Sequence, residues 1–192
     1  MRKALQECQY IKYLGVRIDS TLSWKFQTDK VASTLSRLSG IFYKVRPFVS
    51  KDILIMLYYS LIFSHLIYGI EAWGSTSFCN LNKILILQKK IVRMITRNDN
   101  RSPNYALPAS NPIFLEQKFL KINEIFSMSL SKFTYKWRIK ALPSNFDSWF
   151  KYLSQVHSYN TRGIYVNVDE ISHDSLKLYI PSARTTNYGT KK

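Results

Sequence analysis

Two stretches of this chain carry basic residues at intervals of seven, a spacing that suits the binding of phosphate groups. Because seven residues are close to two helical turns, each stretch would form one cationic stripe with steps of about 10 Å. The stripes consist of Lys30, Arg37 and Lys44, and of Lys83, Lys90 and Arg97, with Lys89 and Arg93 beside the second. The simpler alternative is that these cations only solvate outward faces. The net charge of +16, from 28 basic and 12 acidic residues, favours phosphate binding.

The acidic residues, by contrast, form no pattern that would support catalysis. They are dispersed, and the only adjacent pair is Asp169-Glu170. Two-metal chemistry needs carboxylates that converge on cations about 4 Å apart. The sequence also lacks a glycine-rich phosphate loop, H-E-x-x-H and C-x-x-C. We therefore expect no catalytic residue, no metal site and no cofactor in this chain by itself.

The number of cysteines and the first residues of the chain indicate the cellular compartment in which the protein is expected. Cys8 and Cys79 are too few for a disulfide framework or a cysteine metal site, which suits a reducing environment. Met1-Arg2-Lys3 is followed by no apolar stretch of the kind found in a secretory signal. These features predict an intracellular protein, in the nucleus or the cytoplasm.

Apolar residues at helical spacing predict a mainly α-helical bundle that would position the cations. Four helices are expected, over residues 24–46, 50–72, 79–97 and 112–140. Ser50 is a good N-cap for the second helix, and Asn111-Pro112 is a typical start for the fourth. Gly40 is a possible break in the first helix. Beyond residue 149 the periodicity fades, and we expect a loosely ordered tail with short β-prone runs.

The second predicted helix contains an apolar run, Ile53–Ile70, without a formal charge. Its 18 residues are long enough by count for a membrane span. Ser60, Ser64 and His65 interrupt the run, and Glu71 follows it directly. These interruptions favour the central helix of a soluble bundle, with His65 as a hydrogen-bonded core residue and the other helical stripes packed around it. A membrane-associated protein anchored by this run stays open as the alternative.

One β-strand is predicted near the start of the chain. Leu14, Val16 and Ile18 alternate with Tyr13, Gly15 and Arg17. A single strand leaves its backbone groups unpaired and is not stable in water. Its partners are expected either in the distant runs Ile164–Val168 and Leu176–Ile180 or in a sheet that lies upstream of this chain.

Several ordered segments together resemble the reverse transcriptases of non-LTR (LINE-type, jockey-like) retrotransposons, in the region that follows the catalytic palm. The segment that resembles the end of the palm is KYLGVRIDSTLSW. A helical, thumb-like region is matched by LYYSLIFSHLIYGIEAWG, LNKILILQKKIVRMIT and NPIFLEQKFLKI, and the end of the reading frame by VHSYNTR and LYIPSARTTNYGTKK. The resemblance implies a palm remnant at 1–22, a thumb-like domain at 23–150 and a tail at 151–192. The strand would then be the last strand of a palm sheet that lies upstream.

The resemblance implies a noncatalytic role in holding template and primer. Expected partners are RNA, an RNA–DNA hybrid or a DNA duplex, contacted at the phosphate backbone. The implied binding residues are Lys83, Lys89, Lys90, Arg93 and Arg97. Arg162 is added from the tail motif, whose residues do not by themselves indicate a role. The family's aromatic-Ala-Asp-Asp turn has no counterpart here, so polymerase activity and its Mg²⁺ would belong to the palm. A basic protein-interaction scaffold is a further alternative, which explains the charge but not the ordered segments.

Overall fold

The computed structural model describes residues 8–97 and 110–150, and within them the chain is mainly helical, as predicted. It divides into two compact units, Met1–Leu130 and Ser131–Lys192. The first unit contains a β-hairpin and a set of helices that share one hydrophobic core. All the predicted phosphate-binding residues within the described ranges belong to this unit.

The predicted single strand is in fact a hairpin. Strand β1 (Tyr10–Tyr13) pairs antiparallel with β2 (Val16–Asp19), so β2 has its partner within the chain. Leu14 and Gly15 form the two-residue turn, with φ of 44° and 83°. Positive φ at both positions is the mark of the hairpin turn that matches strand twist. The prediction of one strand was wrong because leucine is uncommon in this conformation. The runs proposed as distant partners, Ile164–Val168 and Leu176–Ile180, lie outside the described residues.

Helix α1 spans Lys25–Val45 without a break at Gly40. Gly40 is exposed, and a glycine there weakens the helix by only about 1 kcal/mol relative to alanine. The face that carries Val31, Leu35 and Phe42 is buried. Burial of this face outweighs the local cost of the glycine.

The apolar run does not form one straight helix. After the predicted cap, where Ser50 accepts a hydrogen bond from the Ile53 N–H, the chain forms α2 (Lys51–Leu57), a π-helical turn (Tyr58–Phe63), α3 (Ser64–Ile67) and α4 (Ile70–Trp73). The buried residues recur every fourth position: Leu54, Tyr58, Ile62, Leu66 and Ile70. In an α-helix each step of four overshoots a full turn by about 40°. The wider π turn reduces this drift, so the same side of the run keeps facing the core.

The opposite side of the run faces solvent, which corrects the expectation of a helix buried all round. Ile53, Met56 and Tyr59 are exposed there, and so are Ser64 and His65. His65 is therefore not a core residue. None of the described helices combines the length and the apolarity that crossing a bilayer requires.

Helix α5 (Phe78–Ile95) is the most extensive packing partner of α1. The apolar faces of α1 and α5 also contact the second predicted helix, as the sequence predicted, but they pack mainly on each other. Two contacts fix its direction. The Thr76 hydroxyl donates to the Ser23 carbonyl, and farther along both segments the Lys83 ammonium contacts the Asp29 carboxylate. Since the order of contacts is the same along both chains, α1 and α5 run parallel with their N-termini together.

The predicted fourth helix is broken into α6 (Ser110–Glu116) and α7 (Ile122–Arg138). Gln88 of α5 lies at the break and is fully buried. Its amide nitrogen donates to the Tyr58 hydroxyl and the Leu120 carbonyl, and its amide oxygen accepts from the Ile122 N–H. A side chain from another helix thus satisfies the backbone groups that the break exposes.

The second unit is described as far as Phe150. There a 3₁₀ turn, Ser144–Trp149, follows α7, and aromatic rings pack between the two. Phe133 meets Phe146 edge to face at 5.5 Å, and Trp137 stacks on Phe150 at 4.5 Å. These contacts place the aromatic residues of the C-terminal part of α7 in a small cluster with those in and just after the 3₁₀ turn.

Candidate nucleic-acid interface

Lys83, the first cation of the second stripe, is held within the protein. Its ammonium lies 2.9 Å from the Asp29 carboxylate, and both side chains are about half exposed, at 49% and 45%. The pair joins α5 to α1. The negative charge of Asp29 offsets the positive charge that Lys83 would otherwise present to a phosphate. An exposed pair of this kind adds less than about 1 kcal/mol to stability.

Lys30, the first cation of the other stripe, holds the hairpin turn. Its ammonium donates to the Gly15 carbonyl at 2.7 Å. Burial lowers the pKa of Lys30, and the nearby charges of Arg17 and Lys12 lower it further. Lys30 is therefore one of three cations gathered at the hairpin rather than the start of a solvated row.

The remaining predicted residues differ in exposure. Four cations are exposed, whereas two are half-buried. The exposed residues are Arg37, Lys44, Lys90 and Arg97, and the half-buried ones are Lys89 and Arg93. Arg162 lies outside the described residues. Arg97 follows the end of α5 with φ of 57°, so the predicted helical stripe ends at Lys90.

The stripe of α1 lies on a different side of that helix from the side that contacts Lys83 of α5. Asp29 contacts Lys83 of α5, whereas Lys30 contacts the hairpin, and consecutive helical residues point about 100° apart. Arg37 and Lys44 continue the side of Lys30. Because α1 and α5 run parallel, the four exposed cations all lie toward the C-terminal ends of the two helices. We call Arg37, Lys44, Lys90 and Arg97 the cationic end.

Lys12 and Arg17 are cations that the sequence interpretation missed. They are direct cross-strand partners in the hairpin, on either side of the Leu14-Gly15 turn. The Arg17 guanidinium lies over the Tyr10 ring, 5.1 Å from its centroid. The sequence KYLGVR does indicate this pairing, because the two cations lie at equal distances from Leu14-Gly15. The pairing goes unnoticed when the segment is interpreted as a single strand. Together with Lys30 they form what we call the hairpin cluster.

A pocket of about 380 Å³ opens beside Lys30, between the hairpin, α1 and α3. Of the described residues that line it, none is acidic. The polar side chains carry an ammonium, an imidazole, an amide and three hydroxyls, contributed by Lys30, His65, Gln27, Thr34, Ser64 and Tyr68. Tyr68 also donates its hydroxyl hydrogen to the Leu14 carbonyl, so the pocket wall and the turn support each other.

Across residues 8–97 and 110–150, no three side chains of the histidine, cysteine, aspartate and glutamate types are grouped to hold a metal ion. Both cysteines are exposed. A comparison with protein-family models, curated proteins and solved structures finds no match to this chain. The chain therefore offers two groups of cations as candidate binding surfaces, the cationic end and the hairpin cluster.

Proposed function

We propose that this chain binds a nucleic-acid duplex through its phosphate backbone, as the thumb-like part of a non-LTR retrotransposon reverse transcriptase. The observation that carries the proposal is the cationic end, where Arg37, Lys44, Lys90 and Arg97 are all exposed. The sequence contains no acidic residue between Lys30 and Lys51 or between Ala72 and Asn98. The C-terminal halves of α1 and α5 therefore present positive side chains without acids of their own.

Binding of this kind follows from charge and not from base recognition. Lysine and arginine that contact phosphates release counterions, which makes affinity depend steeply on salt. Phosphate contacts fix position without reading sequence. In the proposal the half-buried Lys89 and Arg93, together with Arg162, assist the exposed cations. Polymer synthesis and its Mg²⁺ are left to the palm that the resemblance implies.

Salt titration of duplex binding tests this proposal. If about four phosphates are contacted, log K should fall against log salt with a slope near −3.6 on B-DNA. Replacing the four residues of the cationic end with alanine should flatten the slope by about 3.6 units. The matched control removes four exposed lysines elsewhere: Lys25, Lys51, Lys132 and Lys136. Equal flattening by both variants, with unchanged helical content, would assign binding to diffuse charge and contradict the proposal.

The Asp29–Lys83 pair provides a gain-of-binding prediction. In Asp29→Asn the Lys83 ammonium loses its carboxylate partner, so it becomes available to a phosphate beside Lys90. We expect the salt slope to steepen by about 1 unit. Glu71→Gln is the control, because it removes one exposed negative charge from another surface. If both variants steepen the slope alike, net charge explains the effect and Lys83 does not.

A further inference from the structure

The pocket beside Lys30 adjoins the hairpin cluster, of which Lys30 is the member that lines the pocket. Lys12, Arg17 and Lys30 lie near one another at the hairpin; burial lowers the pKa of Lys30, and the charges of Arg17 and Lys12 lower it further. Like charges in a partly buried site are held together at a cost. An anion beside Lys30 in the pocket would reduce that cost.

The donors around the pocket fit an anion with several oxygen atoms. A lysine ammonium has three donor hydrogens, and the Gly15 carbonyl takes one from Lys30. Thr34 and His65 line the same space, and so does Ser64, whose hydroxyl donates its hydrogen to the Ser60 carbonyl at 2.7 Å. The volume of about 380 Å³ lies within the range of small-molecule sites, about 300–1,000 Å³, so a larger group attached to the anion also fits.

We propose that this pocket binds a phosphomonoester, the phosphate group of a nucleotide, between Lys30, Thr34 and His65. The proposal rests on the proposed function in one respect. Arg37 and Lys44 continue the Lys30 side of α1, so a strand bound along them would bring a terminal phosphate toward the pocket. A free nucleoside monophosphate offers the same chemistry and is the other source.

Calorimetric titration of the full chain with a nucleoside 5′-monophosphate, and with the same nucleoside lacking phosphate, tests the pocket directly. We expect saturable binding of the monophosphate, competition by inorganic phosphate, and no measurable binding of the nucleoside. Lys30→Gln keeps a donor for the Gly15 carbonyl but removes the charge, and should weaken binding at least tenfold. Lys25→Gln, an exposed residue of the same helix, should change it less than twofold.

His65→Gln serves as a second variant, because His65 is exposed and its replacement leaves the core intact. It should also weaken binding severalfold, which keeps the test valid if Lys30→Gln fails to fold. Equal binding of nucleoside and monophosphate, or equal losses in Lys30→Gln and Lys25→Gln, would overturn the proposal.

Oligonucleotides with and without a 5′-phosphate distinguish the two sources. A severalfold preference for the phosphorylated strand, lost in Lys30→Gln, identifies the strand end. Binding of the free monophosphate without that preference identifies a free nucleotide. If the duplex salt slope stays flat while the monophosphate binds saturably, the proposed function fails and the pocket stands. If the duplex slope is steep but the monophosphate does not bind, the proposed function stands and the pocket proposal fails.

Discussion

Replacing Gln88 with alanine should lower the free energy of unfolding by about 4 kcal/mol. The change removes the partners of the Tyr58 hydroxyl, the Leu120 carbonyl and the Ile122 N–H at once, at distances of 2.8, 2.7 and 3.0 Å. Each buried polar group left unsatisfied costs about 1–3 kcal/mol, and the lost side chain also leaves a cavity. Urea unfolding followed by circular dichroism measures the difference.

Three further variants separate the causes of that loss. Tyr58→Phe removes only one of the bonds and should cost about 1 kcal/mol. Gln88→Leu fills the space but cannot bond, so it should still lose more than Tyr58→Phe. Gln117→Ala is the matched control, because among the described residues its side chain donates to its neighbour Glu116 alone, at the surface. A Gln88→Ala loss no larger than that of Gln117→Ala would mean that Gln88 does not hold the break between α6 and α7.

Asp19→Asn should destabilise the chain by about 2 kcal/mol near neutral pH and much less in acid. The Asp19 carboxylate accepts hydrogen bonds from the Thr21 hydroxyl, the Ser23 N–H and hydroxyl, and the Trp24 N–H. Burial by itself raises the pKa of Asp19, but these bonds together lower it from 3.8 to about 2. An amide cannot accept all four bonds, since one of its two polar atoms is a donor.

The sign of the pH dependence follows from the lowered pKa. Because the folded pKa lies below the unfolded one, the carboxylate stabilises the fold fully above about pH 4. That contribution is lost as the pH falls from about 4 to about 2. Denaturation at a series of pH values should therefore show wild type and Asp19→Asn converging in acid. The exposed Asp52 is the control, and Asp52→Asn should change stability by less than about 1 kcal/mol. A constant gap between wild type and Asp19→Asn across that range would contradict the assignment.

The helical part of this fold could be predicted from the sequence because its signals are local. The apolar period that marks α1 and α5 extends over whole helices, and their observed ends lie within one or two residues of the predicted ones. Ser50 caps α2 as predicted, since a cap acts over three residues. The exposure of Arg37, Lys44 and Lys90 could also be predicted, because each lies on a polar face of a regular helix.

The hairpin and the helix breaks depend on contacts that no local pattern contains. Leu14 adopts its positive φ in a turn that Tyr68 binds from 54 positions away. Val16 packs against Gly69, and a Cβ atom at position 69 would lie 3.2 Å from a methyl group of Val16. The break before α7 depends on Gln88, more than thirty positions earlier. Such contacts exist only once the helices are packed. They override the backbone conformation that each residue would prefer by itself.

The fate of individual cations was likewise decided by the tertiary structure. A seven-residue spacing places Lys30 and Lys83 in phosphate-binding rows, but folding brings a backbone carbonyl to one and a carboxylate to the other. The same folding gathers Lys12 and Arg17 around Lys30, which no spacing along a single helix could indicate. The sequence determined how many cations there are and which helices carry them. Packing decided which of them face solvent, because a charge brought near the core must find a partner there or remain at its edge.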